Sequence, residues 1–365
     1  MSESPSPDGC PFPHLPSAGT TLHWADPIMP RLNFLSLAAM FAAFALQAGC
    51  ATPPPSPATP GIVTTHGRLQ VAGNRIVGAH GRPVSLAGVS FGWSQWEAAR
   101  FYNAGTVNWL KQDWQATIIR APLGIHEESG YLQQPKQNLA RVTRVIDAAI
   151  AADLYIIIDW HDHHAEKHQE QSVTFFSDMA RRYGHHPHVI YEIFNEPLDK
   201  ASWARDVKPY AEKVIAAIRA IDPDNLIVVG TPNWSQNVDV AAADPIKDPN
   251  VAYVLHFYAG THKQSLRTKA EKALKLGAPL FVTEWGTCDA SGDGPVNEPS
   301  VREWMAFMRE HQLSHCNWAV YDKKETAAII RRSASSKGNW RDRDLSPSGK
   351  FARELVRGWS APATP

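Results

Sequence analysis

The chain has 365 residues, of which 44% are hydrophobic, so it can form one large domain or two small ones around a sizeable core. Lysine and arginine together number 36, and aspartate and glutamate also number 36. This balance excludes the strongly basic surface that is typical of proteins binding nucleic acids or anionic membranes, and we expect a neutral partner.

Residues 1–50 predict an N-terminal extension and an export signal rather than part of a fold. Arg31 precedes the apolar run 32–46, which is short for a membrane span and is followed by small residues, as in a secretory signal. Cys50 follows an Ala-Gly pair and resembles the lipidated cysteine of a bacterial lipoprotein, although Gln47 stands where an aliphatic residue is usual. Met29 is an alternative start. We expect an exported protein that is secreted or lipid-anchored to a bacterial membrane.

Three further segments follow this extension. Residues 51–64 begin with ATPPPSPATP, a proline-rich composition that stays extended and predicts a linker. Residues 65–360 carry the folded domain, and residues 361–365 form a tail. The alternating stretch 67–86 turns at Gly-Asn and His-Gly, which predicts a short antiparallel β-hairpin at the start of the domain.

A regular alternation of short apolar runs and helical patterns follows the hairpin. The runs cover residues 84–91, 117–124, 154–161, 189–196, 225–232, 251–258, 279–286 and 313–320. Continuous apolar strands are typical of a parallel sheet that is buried on both faces. Eight strand–helix units predict an α/β fold, the closed (β/α)8 TIM barrel. An open doubly wound sheet is the alternative, but no glycine-rich phosphate turn follows an early strand.

Polar and aromatic side chains recur at the carboxyl ends of these predicted strands, where barrel enzymes hold their active sites. They are Trp93, Trp96, Arg120, His161, Asn195, Glu196, Trp234, His256, Tyr258, Glu284 and Trp318. Aromatic rings at this level suit a ligand with apolar faces and polar edges, such as a sugar.

Glu196 and Glu284 end the fourth and seventh predicted strands and therefore face each other across the barrel mouth. Glycoside hydrolysis needs two such carboxyl groups, one to protonate the leaving oxygen and one to attack the sugar or activate water. The attacking group must stay ionised, so Arg120, His256 and Tyr258 are expected around Glu284. The proton donor is expected in less compensated surroundings, which favour its protonated form.

Several motifs in this order resemble glycoside hydrolase family 5, most closely its bacterial cellulase branch, the endo-β-1,4-glucanases. They are RAPLG at 120–124, DWH at 159–161, NEP at 195–197, HFY at 256–258 and TEWG at 283–286. The resemblance runs from about residue 84 to the C-terminus and includes NWAVYDKKET at 317–326. It implies a monomeric, retaining endo-acting enzyme that cleaves β-1,4-glucosidic bonds in cellulose or related β-glucans without a cofactor.

The resemblance also implies individual roles at the site. Glu196 matches the family's acid/base and Glu284 its nucleophile. The positions matching substrate-binding or supporting residues are Arg120, His161, Asn195, His256, Tyr258, Trp318, Lys323 and Glu325. Trp93, Trp96 and Trp234 add further aromatic candidates for sugar binding. The sequence departs from many relatives at Gly92, where they carry a histidine and where Trp93 supplies an extra ring instead.

Three alternatives remain beside this interpretation. The stretch HDHHAEKH at 161–168 is rich in zinc-binding residue types, but it follows the third strand, and we expect no catalytic metal. A non-catalytic carbohydrate-binding barrel would keep the tryptophans without needing both glutamates. The same mechanism could also act on β-mannan, xyloglucan or mixed-linkage glucan.

Cys288 and Cys316 are predicted to lie at different levels of the barrel and to be free thiols.

Overall fold

The computed structural model describes residues 61–359. The predicted export signal, the lipidation of Cys50 and the tail 361–365 lie outside the described residues. Between residues 61 and 359, no helix is long and apolar enough to cross a membrane.

Eight parallel strands close into a barrel in which the last strand pairs with the first, which confirms the predicted TIM barrel. After β1 (Gln70–Ala72) and β2 (Arg75–Val77), the barrel strands are β3 (Ala87–Phe91), β4 (Ile118–Gly124), β5 (Tyr155–His161), β6 (Val189–Glu192), β7 (Ile227–Val229), β8 (Val251–Tyr258), β9 (Leu280–Gly286) and β10 (His315–Val320). The strands are buried on both faces, which explains why their sequences are apolar almost throughout.

The amphipathic helices that cover the outside of the barrel are α2 (Ala104–Trp114), α3 (Pro135–Ala151), α4 (Gln169–Tyr183), α5 (Lys208–Arg219), α8 (Gln264–Lys275), α9 (Glu298–Glu310) and α10 (Pro347–Arg357). Three shorter helices are α1 (Ile62–His66), α6 (Pro232–Ser235) and α7 (Val238–Ala243) in the part of the chain that the structure describes. The last helix begins as the sequence predicts, with Pro347 in its first turn and the Ser346 hydroxyl accepting from the Gly349 amide at 3.0 Å.

The N-terminal part of the domain closes the bottom of the barrel. Strands β1 and β2 form the predicted antiparallel hairpin, which turns at Gly73 with φ of 62°. The domain begins earlier than predicted, because α1 starts at Ile62, inside the expected linker 51–64. Val63 is buried against the same apolar cluster as Leu69, so residues 62–64 belong to the fold rather than to a tether.

The barrel interior has an apolar layer below a polar one. The apolar layer consists of Ile118, Ile157, Ile190, Val254, Phe281 and Cys316. Two residues further along the same strands stand Arg120, Asp159, Glu192, His256, Thr283 and Trp318, all of them buried. Because alternate residues of a strand face the same side, the second set lies directly above the first, toward the barrel mouth. Cys316 in the lower layer and Cys288 beyond β9 are both free thiols, as predicted.

Candidate active site

The two predicted glutamates meet at the mouth of the barrel. Glu196 lies four residues beyond β6, and Glu284 lies in β9. One carboxylate oxygen of each residue and one ring nitrogen of His256 all lie within 4.8 Å of one another. The structure therefore brings together the two carboxyl groups that the sequence places on separate strands.

A β-bulge in β9 turns two successive side chains toward the barrel interior. Val254 pairs with Phe281, but His256 pairs with Glu284, so β9 contains one residue more than β8 over this stretch. In a regular strand Thr283 and Glu284 would point to opposite faces. The bulge allows Thr283 to reach the polar layer while Glu284 reaches the cleft.

Glu284 receives one hydrogen bond on each carboxylate oxygen. Arg120 Nη1 donates to Oε2 at 3.0 Å, and the Tyr258 hydroxyl donates to Oε1 at 2.7 Å. Burial opposes the charge of Arg120, but nearby Asp159, Glu192 and Glu284 raise its pKa well above the ordinary value. Arg120 is therefore a permanent cation, and the two donors fix the plane of the Glu284 carboxylate.

Three further groups hold Arg120 in place. Glu192 accepts from its Nε at 2.7 Å and from Nη2 at 3.2 Å, while Asp159 lies 3.0 Å from Nη2. The same Nη2 donates to the Asn195 side-chain oxygen at 2.6 Å, which leaves the Asn195 amide NH2 group for a ligand hydroxyl. Asp159 and Glu192 are site residues that were not predicted, and each stands two positions after an interior isoleucine.

Glu196 has two imidazole partners, which corrects the predicted environment. His256 Nδ1 lies 2.8 Å from Glu196 Oε1, and His163 Nε2 lies 3.3 Å from Oε2. The expectations that His256 would serve Glu284 and that the proton donor would be less compensated are wrong. Burial raises the pKa of Glu196, but the hydrogen bonds from His163 and His256 outweigh it and lower the pKa below its usual range.

His163 also belongs to the site, in addition to the residues predicted from the strand ends. Burial lowers the pKa of His163, but the hydrogen bond to Glu196 and the charge of that carboxylate outweigh burial and raise it. The position follows directly after β5 and Asp162, so the loop returns the ring over the mouth of the barrel.

A chain of hydrogen bonds links His256 to the polar layer. The Thr283 hydroxyl donates to Glu192 Oε1 at 2.6 Å, and the same hydroxyl oxygen lies 2.8 Å from His256 Nε2. Because the hydroxyl hydrogen is used by Glu192, the oxygen can only accept from His256, whose Nε2 must carry a hydrogen. His256 Nδ1 then donates to the Glu196 carboxylate when the ring carries a hydrogen on both nitrogens, and it accepts from the protonated carboxyl group when only Nε2 carries one.

A cavity with an empty volume of about 730 Å³ opens on one side of the glutamates. Its lining includes the predicted residues Trp93, Trp96, His161, Trp318, Lys323 and Glu325. The ring of His161 lies parallel to Trp318 at 5.3 Å between centroids and edge-on to Trp93 at 4.3 Å. Burial and the charge of Arg120 lower the pKa of His161 to about 3, so this imidazole is neutral near pH 7.

A second cavity, with an empty volume of about 770 Å³, opens on the other side and shares Glu196, Tyr258 and Glu284 with the first. Trp234 lines it with 40% of its surface exposed. Asn233, Trp234 and Ser235 have positive φ angles of 54–62°, an uncommon conformation for residues with side chains. The strained turn holds the Trp234 ring exposed to solvent. With a cavity on each side, the cleft extends from the two glutamates in both directions.

Gly92 lines the first cavity where the sequence departs from the family pattern. A Cβ atom at this position would lie 3.0 Å from the Ala98 Cβ and 3.3 Å from the Tyr321 Cβ. A histidine would therefore need its neighbours to shift. Trp93 instead stacks on Trp96 at 4.9 Å, and together these rings form the aromatic wall.

The family model described as cellulase (glycosyl hydrolase family 5) matches residues 77–324 of this chain. The chain belongs to glycosyl hydrolase family 5. Among curated members, endoglucanase Z of Dickeya dadantii is 51% identical over 293 residues, which cover 80% of this chain and 66% of that protein. An endoglucanase of Clostridium saccharobutylicum is 42% identical, covering 80% of this chain and 65% of its own length. The chain thus spans slightly less than two thirds of these two family 5 relatives.

Solved structures share the barrel of this chain. A structure from Cytophaga hutchinsonii is 49% identical with a TM-score of 0.80, covering 82% of this chain and 97% of that one. The catalytic domain of a Thermobifida fusca endoglucanase is 34% identical with a TM-score of 0.77, covering 81% and 99%. A variant of that domain was solved in complex with cellotetraose. The family predicted from the strand-end motifs is confirmed.

Proposed function

We propose that this chain is a retaining endo-β-1,4-glucanase that cleaves cellulose or related β-glucans. The proximity of Glu196 and Glu284 carries the proposal, since a carboxylate oxygen of one lies within 4.8 Å of an oxygen of the other. Retaining glycosidases hold the two carboxyl groups roughly 5–5.5 Å apart, whereas inverting enzymes need about 6.5–9.5 Å to admit a water molecule. The short separation leaves direct attack by a carboxylate as the favoured chemistry.

In the first step, a Glu284 oxygen attacks the anomeric carbon and the glycosidic C–O bond breaks. Glu196 donates its proton to the departing glucan oxygen, so the leaving group departs as a neutral alcohol. His163 and His256 stabilise the Glu196 carboxylate that forms as the proton leaves, and the proton is shared between Glu196 and His163 before the step. Arg120 and Tyr258 orient the Glu284 carboxylate for the attack.

In the second step, Glu196 removes a proton from water, and the resulting hydroxide forms a bond to the anomeric carbon. The ester bond to Glu284 breaks, which restores its carboxylate and retains the configuration of the sugar. The proton returns to the group formed by Glu196, His163 and His256. His256 can take part because Thr283 and Glu192 fix its tautomer.

The shape of the cleft supports action within a chain rather than at its end. The two cavities share the glutamates, so a polysaccharide can extend past the cleavage point on both sides. The tryptophans on each side offer flat apolar faces for sugar rings. The family 5 relatives named endoglucanases and the cellotetraose complex support β-1,4-glucan as the substrate.

Glutamine substitutions test the mechanism. We expect Glu284→Gln to abolish release of reducing sugar from carboxymethyl cellulose. We expect Glu196→Gln to lose about 10²–10⁴-fold on this substrate but much less on activated aryl glycosides, which need little protonation. Glu212→Gln, on the exposed face of α5, is the matched control and should keep wild-type activity. Equal losses on both substrates in Glu196→Gln would contradict the acid/base assignment, and an active Glu284→Gln would contradict the nucleophile.

A substrate panel decides between the sugars. Wild-type protein should release short cello-oligosaccharides from carboxymethyl cellulose and lower its viscosity early in the reaction. Higher kcat/KM on β-mannan, xyloglucan or mixed-linkage glucan would replace cellulose as the substrate while keeping the mechanism. No activity on any of these polysaccharides would favour a carbohydrate-binding barrel.

We also propose that the protein is exported as a monomer, either secreted or held at a bacterial membrane by a lipid on Cys50. The basic residue, the short apolar run and the Ala-Gly-Cys sequence support this proposal. Labelling with a radioactive fatty acid should mark the wild-type protein and not Cys50→Ser. Light scattering of the purified domain measures its oligomeric state.

A further inference from the structure

A second cluster of titratable side chains lies beside the proposed active site. His126 follows β4, Asp162 follows β5, and His168 directly precedes α4. His126 Nδ1 lies 2.8 Å from Asp162 Oδ1, and His168 Nδ1 lies 2.7 Å from Asp162 Oδ2. One possible ligand atom from each of the three residues lies within 4.8 Å of the others. The proposed hydrolysis uses none of these side chains.

The hydrogen bonding of His126 indicates an unoccupied lone pair at this point. Its Nε2 lies 3.1 Å from a Glu127 carboxylate oxygen, which is an acceptor and therefore favours a hydrogen on that nitrogen. The other nitrogen, Nδ1, is buried and lies 2.8 Å from Asp162 Oδ1, although its orientation there does not meet hydrogen-bond geometry. When the ring is neutral and carries its hydrogen on Nε2, the Nδ1 lone pair faces the Asp162 carboxylate, and a cation placed between them would be stabilised.

The outer contact of His126 has the arrangement found at metal sites. Metal-bound histidines commonly donate their second ring N–H to a carboxylate, which fixes the tautomer and strengthens the ligand. Glu127 provides such a carboxylate for His126. Asp162 is also oriented, because its Oδ1 accepts from the His164 backbone amide at 2.8 Å.

We propose that His126, Asp162 and His168 bind a divalent transition-metal ion of the zinc class. Two imidazole nitrogens and one carboxylate oxygen suit zinc, whereas calcium and magnesium prefer sets of oxygen ligands. The Asp162 side chain is fully buried, while those of His126 and His168 are 24% and 20% exposed. The remaining coordination positions therefore face solvent and would be filled by water.

Such an ion would tie the loops after β4 and β5 together next to the acid/base. The Asp162 backbone oxygen accepts from the Glu196 amide at 3.4 Å, and the following residue, His163, contacts the Glu196 carboxylate. The ion has a structural role in this proposal, since it holds the loop that carries His163. Its effect should be measured first as binding and stability.

The test uses protein purified without a polyhistidine tag and stripped with a chelator. After equilibrium dialysis against ZnCl2, elemental analysis should find one zinc ion bound to the wild type. The melting temperature of the wild type should rise by at least about 2 °C. His126→Ala and His168→Ala should lose both effects. His80→Ala removes an exposed histidine elsewhere and should keep them. CaCl2 at the same concentration should give no rise.

A second possible ligand set makes one further variant necessary. Atoms of Glu196, His256 and Glu284 also lie within 4.8 Å of one another and could take zinc. Zinc binding that survives in Glu284→Gln and disappears in His126→Ala supports the proposed site. The opposite pattern, or no bound zinc in the wild type, overturns it. If His168→Ala does not fold by circular dichroism, the partly exposed His126→Gln decides the question alone.

Discussion

Replacing His163 by alanine should move the alkaline limb of the activity profile to lower pH. The imidazole lies 3.3 Å from the Glu196 carboxylate, and each group changes the pKa of the other. The pKa of His163 is raised and that of Glu196 is lowered, so the ion pair is the main state when the two share one proton. In the wild type this proton is lost at the raised pKa of His163, above 6.5.

Without the imidazole, the proton must come from Glu196 itself. An opposite charge within about 4–6 Å shifts a carboxyl pKa by roughly 1–3 units. The His163 side chain is 28% exposed and that of Glu196 is 14% exposed, so solvent screening weakens the pair only in part. Loss of the ring raises the pKa of Glu196, but His256 still lowers it. We therefore expect the alkaline limb to fall by at least about 1 unit.

The measurement is kcat/KM against pH on a cello-oligosaccharide with a poor leaving group, because this quantity reports the free enzyme. His164→Ala is the matched control, since its ring pairs with Glu166 at 3.7 Å and not with Glu196. The control should keep the wild-type profile. An unchanged alkaline limb in His163→Ala would show that the proton shared with this ring is not the one used in catalysis.

Substitutions at Thr283, at His315 and at two tryptophans give three separate predictions. Thr283→Val breaks the link that fixes the His256 tautomer, so kcat should fall roughly 10- to 100-fold with little change in KM, while Thr283→Ser keeps most activity. Burial lowers the pKa of His315 to about 3, so its contribution to stability is present above its unfolded value of 6.5 and is lost as pH falls toward 3. His315→Gln should therefore reduce the loss of unfolding free energy between pH 6.5 and pH 4.5 by about 3 kcal/mol, since one pKa unit corresponds to about 1.4 kcal/mol; an equal loss in both proteins would contradict this. Trp96→Ala and Trp234→Ala, on opposite sides of the glutamates, should each raise KM for soluble cellulose about 2- to 10-fold, and an unchanged KM would remove that ring from the binding surface.

The barrel could be predicted because its strands are buried on both faces and read as separate apolar runs. The strand ends were less predictable, as shown by the expected strand 189–196, which ends at Glu192 in the structure. Beyond this point the chain still forms single hydrogen bonds, such as Gly230 N to Phe194 O at 2.9 Å, but no regular ladder. Apolar composition indicates that a segment is buried, but it does not show whether that segment is a regular strand or an irregular stretch with single hydrogen bonds.

The strand-end motifs identified the residues at the cleft but not those beneath it. Asp159 and Glu192 lie inside apolar runs, where a carboxyl group is not expected without a partner. Their partner Arg120 comes from another strand, so only the closed barrel shows the pairing. Thr283 was missed for a different reason, because simple alternation places it on the face opposite Glu284 and the bulge in β9 has no clear sequence signal.

The buried carboxyl groups also determine how much of the positive charge of Arg120 acts on Glu284. One guanidinium faces Asp159, Glu192 and Glu284 and cannot neutralise three carboxylates. Burial, against the opposing charge of Arg120, raises the pKa of Asp159 to about 7, so this group is partly protonated near pH 7. When Asp159 is protonated, Arg120 pairs with only two carboxylates, those of Glu192 and Glu284. The chemistry at the barrel mouth therefore depends on a carboxyl group one layer below, which the strand-end positions alone do not reveal.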